Sequence, residues 1–380
     1  MEDIGNALGL DATFIDDEEI VPKLQLIEDR EHSFAYQHSA DKDMRYFERC
    51  EMAIRAIPSE YRKFAWALFA NVIYLPHDLL DCTWSHLLNK TAQRLNVSKE
   101  EIVESGLLLE VDAANLHYEF IQKCRIPGRL DTDKFPRQIT TVGLLLSTMV
   151  SIISSGLLSD EHKETLQDCL KKKYWLLLVD NALSGTSLCS EVDKLNEIFS
   201  LLPDSYKLPD VIVLIQVLAE DAKTILEKKL NDKRSGNIIY IPAIQLGSEF
   251  KINDDRCKLF NKSETREGIL RFCDWFAQNT ALATDPDMTA TKCISGDDLR
   301  YGFKSVGLTL VTPNCPTNSV PPLWYPTIDK NNRKSTQRQE PSYVPPFPRL
   351  HSRPRQSKSR DKEHLEILRQ KCDDLRQKIK

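Results

Sequence analysis

No two of the ten cysteines stand in a C-x-x-C arrangement, so the sequence offers no structural zinc site. The eight histidines form no H-E-x-x-H or comparable ligand spacing, which removes the zinc-hydrolase pattern. A G-x-x-x-x-G-K-[ST] string is also missing, which argues against a nucleoside-triphosphatase loop. No secretory signal opens the chain, and a chain of 380 residues needs no disulfides for stability. These absences predict a reduced, cytoplasmic protein. Charge is absent from Gln138 to Ser159, nearly enough to cross a bilayer. That run carries Thr140, Thr141, Ser147, Thr148, Ser151, Ser154, Ser155 and Ser159 and no flanking aromatic belt, so a buried helix is expected and no membrane span.

What is present is an ordinary core-forming composition, 41% apolar, with a lopsided charge. The net charge is −5, yet from Asp329 onward 15 Lys and Arg stand against 7 Asp and Glu, a surplus of +8, leaving −13 on the rest. An acidic body with a basic tail is the result.

Five segments follow from the pattern. Residues 1–43 are acidic, with Asp11, Asp16, Asp17, Glu18 and Glu19 close together. Residues 44–122 read as a helical lobe: Phe64, Leu68 and Val72 share one stripe after Pro58, and 77–95 and 99–122 also read as helices. Residues 123–328 form an α/β domain. After the uncharged helix, its next helix ends in Lys171–Lys173 and has Ser159 as its expected N-cap. Continuous apolar runs at Tyr174–Val179, Val211–Val217 and Ile238–Ile241, the last ending at Pro242, alternate with helical patterns. Strand, helix, strand, helix, strand predicts a parallel sheet with flanking helices. A helix over 267–279 and a strand near Gly307–Val311 complete it. Residues 329–362, poor in apolar residues except for the block Tyr343–Leu350, read as a basic linker, and 363–380 as a short terminal helix with Leu365, Leu368, Cys372, Leu375 and Ile379 at heptad spacing. A solvated linker is the usual role for such a tail; nucleic-acid contact through it is the secondary expectation.

The chemistry-bearing string is Tyr174-Trp-Leu-Leu-Leu-Val179-Asp180-Asn181-Ala182-Leu183-Ser184-Gly185-Thr186-Ser187-Leu188. A buried strand ends in Asp180 at the carboxyl edge, where parallel sheets bind ligands. A helix then opens, with Leu188, Val192, Leu195, Phe199 and Leu202 on its apolar face. Its first N–H groups have no partner within the helix and sit at the positive end of its dipole. Gly185 admits a close backbone approach and a positive φ. Ser184, Thr186 and Ser187 add hydroxyl donors, so the turn is expected to bind a phosphate. Asp180 is placed to accept from ribose hydroxyls or to hold a metal-bound water.

This arrangement resembles the phosphoribosyl-diphosphate (PRPP) motif of type I phosphoribosyltransferases. The resemblance implies that Asp180 takes the first acidic position on the ribose, with Asn181 in the second, and that Ser184, Gly185, Thr186 and Ser187 cradle the 5′-phosphate. It implies PRPP with Mg²⁺ as cofactor. Residues Tyr301-Gly302-Phe303, Pro313-Asn314-Cys315-Pro316, Pro322-Leu323-Trp324 and Pro346-Phe347-Pro348-Arg349 are similar to the phosphoribosyltransferase-like (PRTase-CE) domains of bacterial conflict and CRISPR-associated systems, over about 44–350. That likeness implies protein partners from a defence operon. Two features depart from the motif: Asn181 carries no charge, and the loop from Asp180 to Gly185 is one residue short. The residues leave two functions open, transfer of phosphoribose to an acceptor, or an inactive module that senses a phosphorylated nucleotide or sugar. Arg129, after Pro127-Gly128, is the weak candidate for the loop that holds pyrophosphate.

Overall fold

The computed structural model describes residues 46–75, 77–111, 116–124, 141–155, 160–202, 206–231, 237–279, 300–302, 306–311, 319–325, 343 and 345–346. In chain order the elements are α1 (Tyr46–Arg55), α2 (Ser59–Ala70), β1 (Ile73–Tyr74), α3 (His77–Leu95), α4 (Lys99–Glu104), β2 (Gly106–Glu110), α5 (Leu116–Lys123), α6 (Val142–Ser155), α7 (Asp160–Leu170) and β3 (Tyr174–Ala182). Then follow α8 (Thr186–Leu201), β4 (Asp210–Ala219), α9 (Glu220–Leu230), β5 (Ile238–Leu246), α10 (Ser263–Asn279) and β6 (Leu310–Val311). The described residues divide into two compact units, one with 46–79 and 247–346 and one with 80–246.

The second unit is a four-stranded parallel sheet in the order β2-β3-β4-β5. Its strands are apolar runs because both faces are covered by helices. On β3 the residues alternate: Trp175, Leu177 and Val179 join one core cluster with α6 and α8, while Tyr174, Leu176 and Leu178 join another with α3 and α5. Helix α6 has 14 residues, about 21 Å at 1.5 Å per residue. It buries Val142, Leu145, Leu146, Met149 and Val150 in the first of those clusters. The uncharged run is therefore a core helix, and no helix among the described residues is long and apolar enough to cross a membrane.

Three sequence expectations need correction. The segment 99–122 is not one helix, and the 44–122 region is not all-helical: α4 stops at Glu104, and Gly106–Glu110 is a fully buried strand paired along β3. Its Leu-Leu-Leu core suits helix and strand alike, and burial on both faces decides the matter. Secondly, β5 does not end at Pro242 but runs to Leu246. The Asn237 carbonyl accepts from Val211 N–H on β4 (3.0 Å), so by the alternation of a parallel ladder Tyr240, Pro242 and Ile244 turn their backbone groups away from β4. The missing N–H of Pro242 thus removes no ladder bond, as an edge strand allows.

The third correction concerns the basic linker. In the first unit, α2 and α10 pack around Phe69, Phe272 and Phe276, and Tyr61 stacks on Trp275 with centroids 5.4 Å apart. Gly268 lets them close, because a Cβ there would lie 2.0 Å from the Phe64 ring. Tyr343 is buried in the same core, edge-on to Phe276 at 5.1 Å, and donates to the Pro322 carbonyl at 2.5 Å. Arg49 Nε donates to the Pro346 carbonyl at 2.8 Å. Tyr343, Pro345 and Pro346 are buried, so this block belongs to a core and not to a solvated linker. Segment 1–43, Ser159, Arg129, the rest of the basic stretch and the heptads at 363–380 lie outside the described residues.

Tyr343→Ala is expected to destabilise the first unit by about 3 kcal/mol, as truncation of a buried aromatic does. Urea denaturation of the full chain measures it. A loss below about 0.5 kcal/mol, the range of surface substitutions, would return Tyr343 to the linker.

Candidate functional site

β3 runs three residues beyond its apolar stretch, so Asp180 and Asn181 lie in the strand rather than in the turn after it. Alternation sends them to opposite faces. Asp180 continues the face of Leu176 and Leu178 and is exposed; its Oδ1 accepts from the Asn181 N–H at 2.6 Å. Asn181 is half-buried, and its Oδ1 is shielded from solvent without a hydrogen-bond partner.

The turn then closes on Gly185, which has φ +72° and occupies the N-cap position of α8. A Cβ at Gly185 would sit 3.0 Å from the Ala222 Cα and 3.3 Å from its carbonyl oxygen. Both the left-handed backbone and the approach of α9 therefore require glycine. Because the cap is glycine, no side chain caps α8. Ser184 Oγ and Thr186 Oγ1 lie 3.3 Å apart, and neither is spent on a helix amide. The expected apolar face is largely present: Leu188, Val192 and Leu195 are buried with Ile198, while Phe199 is half-buried.

The helices α6, α8 and α9 start at the carboxyl edge of the sheet and treat their N-termini differently. Before α6, Thr141 Oγ1 accepts from the Leu144 N–H at 3.2 Å. α9 carries Glu220 and Asp221 in its first turn, which complement its dipole. α8 has no acidic residue in its first turn and no capping side chain. Among these three, its positive end alone is left for an anion, with Ser184, Thr186 and Ser187 beside it.

Two residues at this edge escaped the sequence reading. Glu110 ends β2 opposite Leu178, on the same face as Asp180, with 1% of its surface exposed. Gly106-Leu-Leu-Leu-Glu110 repeats the apolar-run-then-acid form of Tyr174–Asp180, a signal hidden by the helical reading of 99–122. The other is Gln216 on β4, buried on the same face. Its amide donates to the Leu80 carbonyl (2.7 Å) and to Thr83 Oγ1 (3.1 Å), tying the start of α3 to the sheet beside Asp180.

Two thiols of this unit are shifted away from reactivity. Burial raises the Cys169 thiol to about 11 and the Cys124 thiol to about 12. A reactive cysteine needs the opposite shift. Among the described residues no group of three or more His, Cys, Asp or Glu is placed to hold a metal.

Gly185→Ala is expected to cost about 2 kcal/mol through its left-handed φ alone, with the Ala222 contact adding to that. Thermal or urea denaturation measures it, and an unchanged midpoint would show that the turn is not left-handed.

No curated protein and no solved structure matches the chain. Residues 114–349 match the PRTase-CE family model, a span that includes β3, the Gly185 turn and the docked Tyr343 but not α1 to α4 or β2. More than half of the sequence lies inside that match, and the chain belongs to the PRTase-CE family of phosphoribosyltransferase-like proteins.

Proposed function

We propose that the β3–α8 turn binds PRPP or a closely related phosphorylated nucleotide or sugar. The observation that carries this reading is the uncompensated N-terminus of α8, flanked by Ser184, Thr186 and Ser187 and closed by a left-handed Gly185. The 5′-phosphate accepts from the α8 amides and the three hydroxyls. Asp180, exposed at the strand end, accepts from the ribose hydroxyls. Asp180 is also the residue that would meet, through water, a Mg²⁺ ion brought by the diphosphate, and that ion would supply charge neutralisation for the departing pyrophosphate. Transfer builds positive charge on the ribose, and the protein's share is orientation and electrostatic stabilisation. An anti-phage defence setting is part of this reading and rests on the family alone.

A second reading has one observation behind it. Asn181 places a neutral amide where the transferase motif carries its second acid, and its buried Oδ1 lacks a partner. A site with one carboxylate instead of two holds the ribose more weakly and stabilises its positive charge less. On this reading the protein is a sensor that binds without turnover and signals to a partner.

Calorimetric titration with PRPP and Mg²⁺, followed by an assay for released pyrophosphate, separates the two. Binding with release supports transfer; binding without release across a panel of acceptors supports sensing. Replacing Ser184 and Ser187 together by Ala is expected to weaken binding at least tenfold, at about 1 kcal/mol per lost hydrogen bond. Failure of PRPP, ribose 5-phosphate and nucleoside monophosphates to bind the unaltered chain would sink both readings.

A further inference from the structure

The open side of the sheet carries a second basic feature, apart from the β3–α8 turn. β5 is the last strand, pairing only with β4 among the described residues. A groove of about 340 Å³ follows its outer edge, lined among others by Arg94 of α3, Lys223 of α9 and Gln245 of β5. Arg94 reaches round the edge, and its Nη1 donates to the Tyr240 carbonyl at 3.5 Å. That single long bond leaves most of its guanidinium donors available. Lys223 pairs with no described residue.

Other polar groups beside the groove satisfy one another. Glu227, one turn along α9 from Lys223, accepts the Tyr240 hydroxyl at 2.5 Å. Burial and that bond raise Tyr240 to about 12, so its hydroxyl stays protonated and is spent on Glu227. The adjacent strand cannot extend the sheet evenly, because Pro242 turns a backbone without N–H to the groove while the Arg94 head group covers the Tyr240 carbonyl. Both devices oppose strand addition. The groove thus excludes a pairing peptide strand yet gathers two cations and the Gln245 amide.

We propose that this β5-edge groove is an anion site that takes a phosphate group, held by Arg94, Lys223 and Gln245. A phosphate offers several acceptor oxygens to a guanidinium fork and to an ammonium point charge at once. A free phosphorylated metabolite and a nucleic-acid backbone share that chemistry, and the experiment distinguishes them.

The full-length chain is titrated with sodium pyrophosphate, adenosine monophosphate and a ten-nucleotide single strand while backbone amide resonances are followed. Saturable shifts of Ile238–Leu246 amides are expected, separate from any shift of Thr186–Leu188. Pyrophosphate or nucleotide acting at low concentration identifies a free metabolite; response to the strand alone identifies a nucleic-acid backbone. Arg94→Gln with Lys223→Gln, which leaves the unliganded β5 resonances in place, is expected to weaken the β5 response at least tenfold and to spare Thr186–Leu188. Silence of the β5 amides with all three probes, or a response unchanged in the double variant, overturns the groove. Silence of Thr186–Leu188 alone counts against the β3–α8 reading and leaves the groove standing.

Discussion

The contact between Gly185 and Ala222 is the constraint on which the candidate site depends. It sets the turn after β3 against the first turn of α9, where Gly185 takes φ +72° at the cap of α8. With any larger residue the turn must move off α9, and the amides of α8 move with it. A side chain at the cap would also be free to consume one of those amides, as Thr141 does for α6. Glycine therefore does two things at once: it permits the close approach, and it leaves the helix end chemically unspent. The hydroxyls of Ser184 and Thr186, 3.3 Å apart, gain their significance from that vacancy.

The second consequence is a division of roles among helices that share one edge. α9 answers its own dipole with Glu220 and Asp221, and α6 uses a threonine cap. These arrangements keep anions away from two helix ends and leave the third. Gln216 contributes from the other face by fixing the start of α3 against β4 through Leu80 and Thr83. Cutting those bonds would strand buried polar groups, which is costly in a dry interior. The sheet edge is thus held by polar contacts as well as by the apolar clusters beneath it.

How much of this could be read from the sequence follows from what each residue meets. Tyr174–Val179 and Val211–Val217 were legible as strands because burial on both faces leaves an unbroken apolar run. The freedom of Gly185 to take a positive φ was legible from glycine itself, whereas the approach of Ala222 was not. Gly106–Glu110 was not, since Leu serves helix and strand equally and only pairing with β3 settles it. Pro242 misled because a proline in a strand is tolerated only at an edge, and edges are a property of the whole sheet. Tyr343–Leu350 stood out as an apolar block in the basic stretch, but the docking of Tyr343 was not legible, because it needs a partner, Phe276, far away in sequence.

Charge at the site poses a problem that its chemistry must solve. Asp180 is exposed beside the turn, Glu110 is buried on the same face, and Glu220 and Asp221 open the neighbouring helix. Two like charges 4 Å apart repel by about 4 kcal/mol at an effective dielectric of 20, more than the gain from two or three ordinary hydrogen bonds. On the proposed reading the 5′-phosphate must gain more from the α8 amides and hydroxyls than those carboxylates cost it. A ligand that brings a divalent cation on its diphosphate would ease that repulsion, the cation being offered to Asp180 and the 5′-phosphate to the α8 amides and hydroxyls. On that reading the acids would favour ligands that carry a cation over those that do not. The neutral Asn181 is consistent with that arrangement, since one exposed carboxylate suffices to meet a cation the ligand itself supplies.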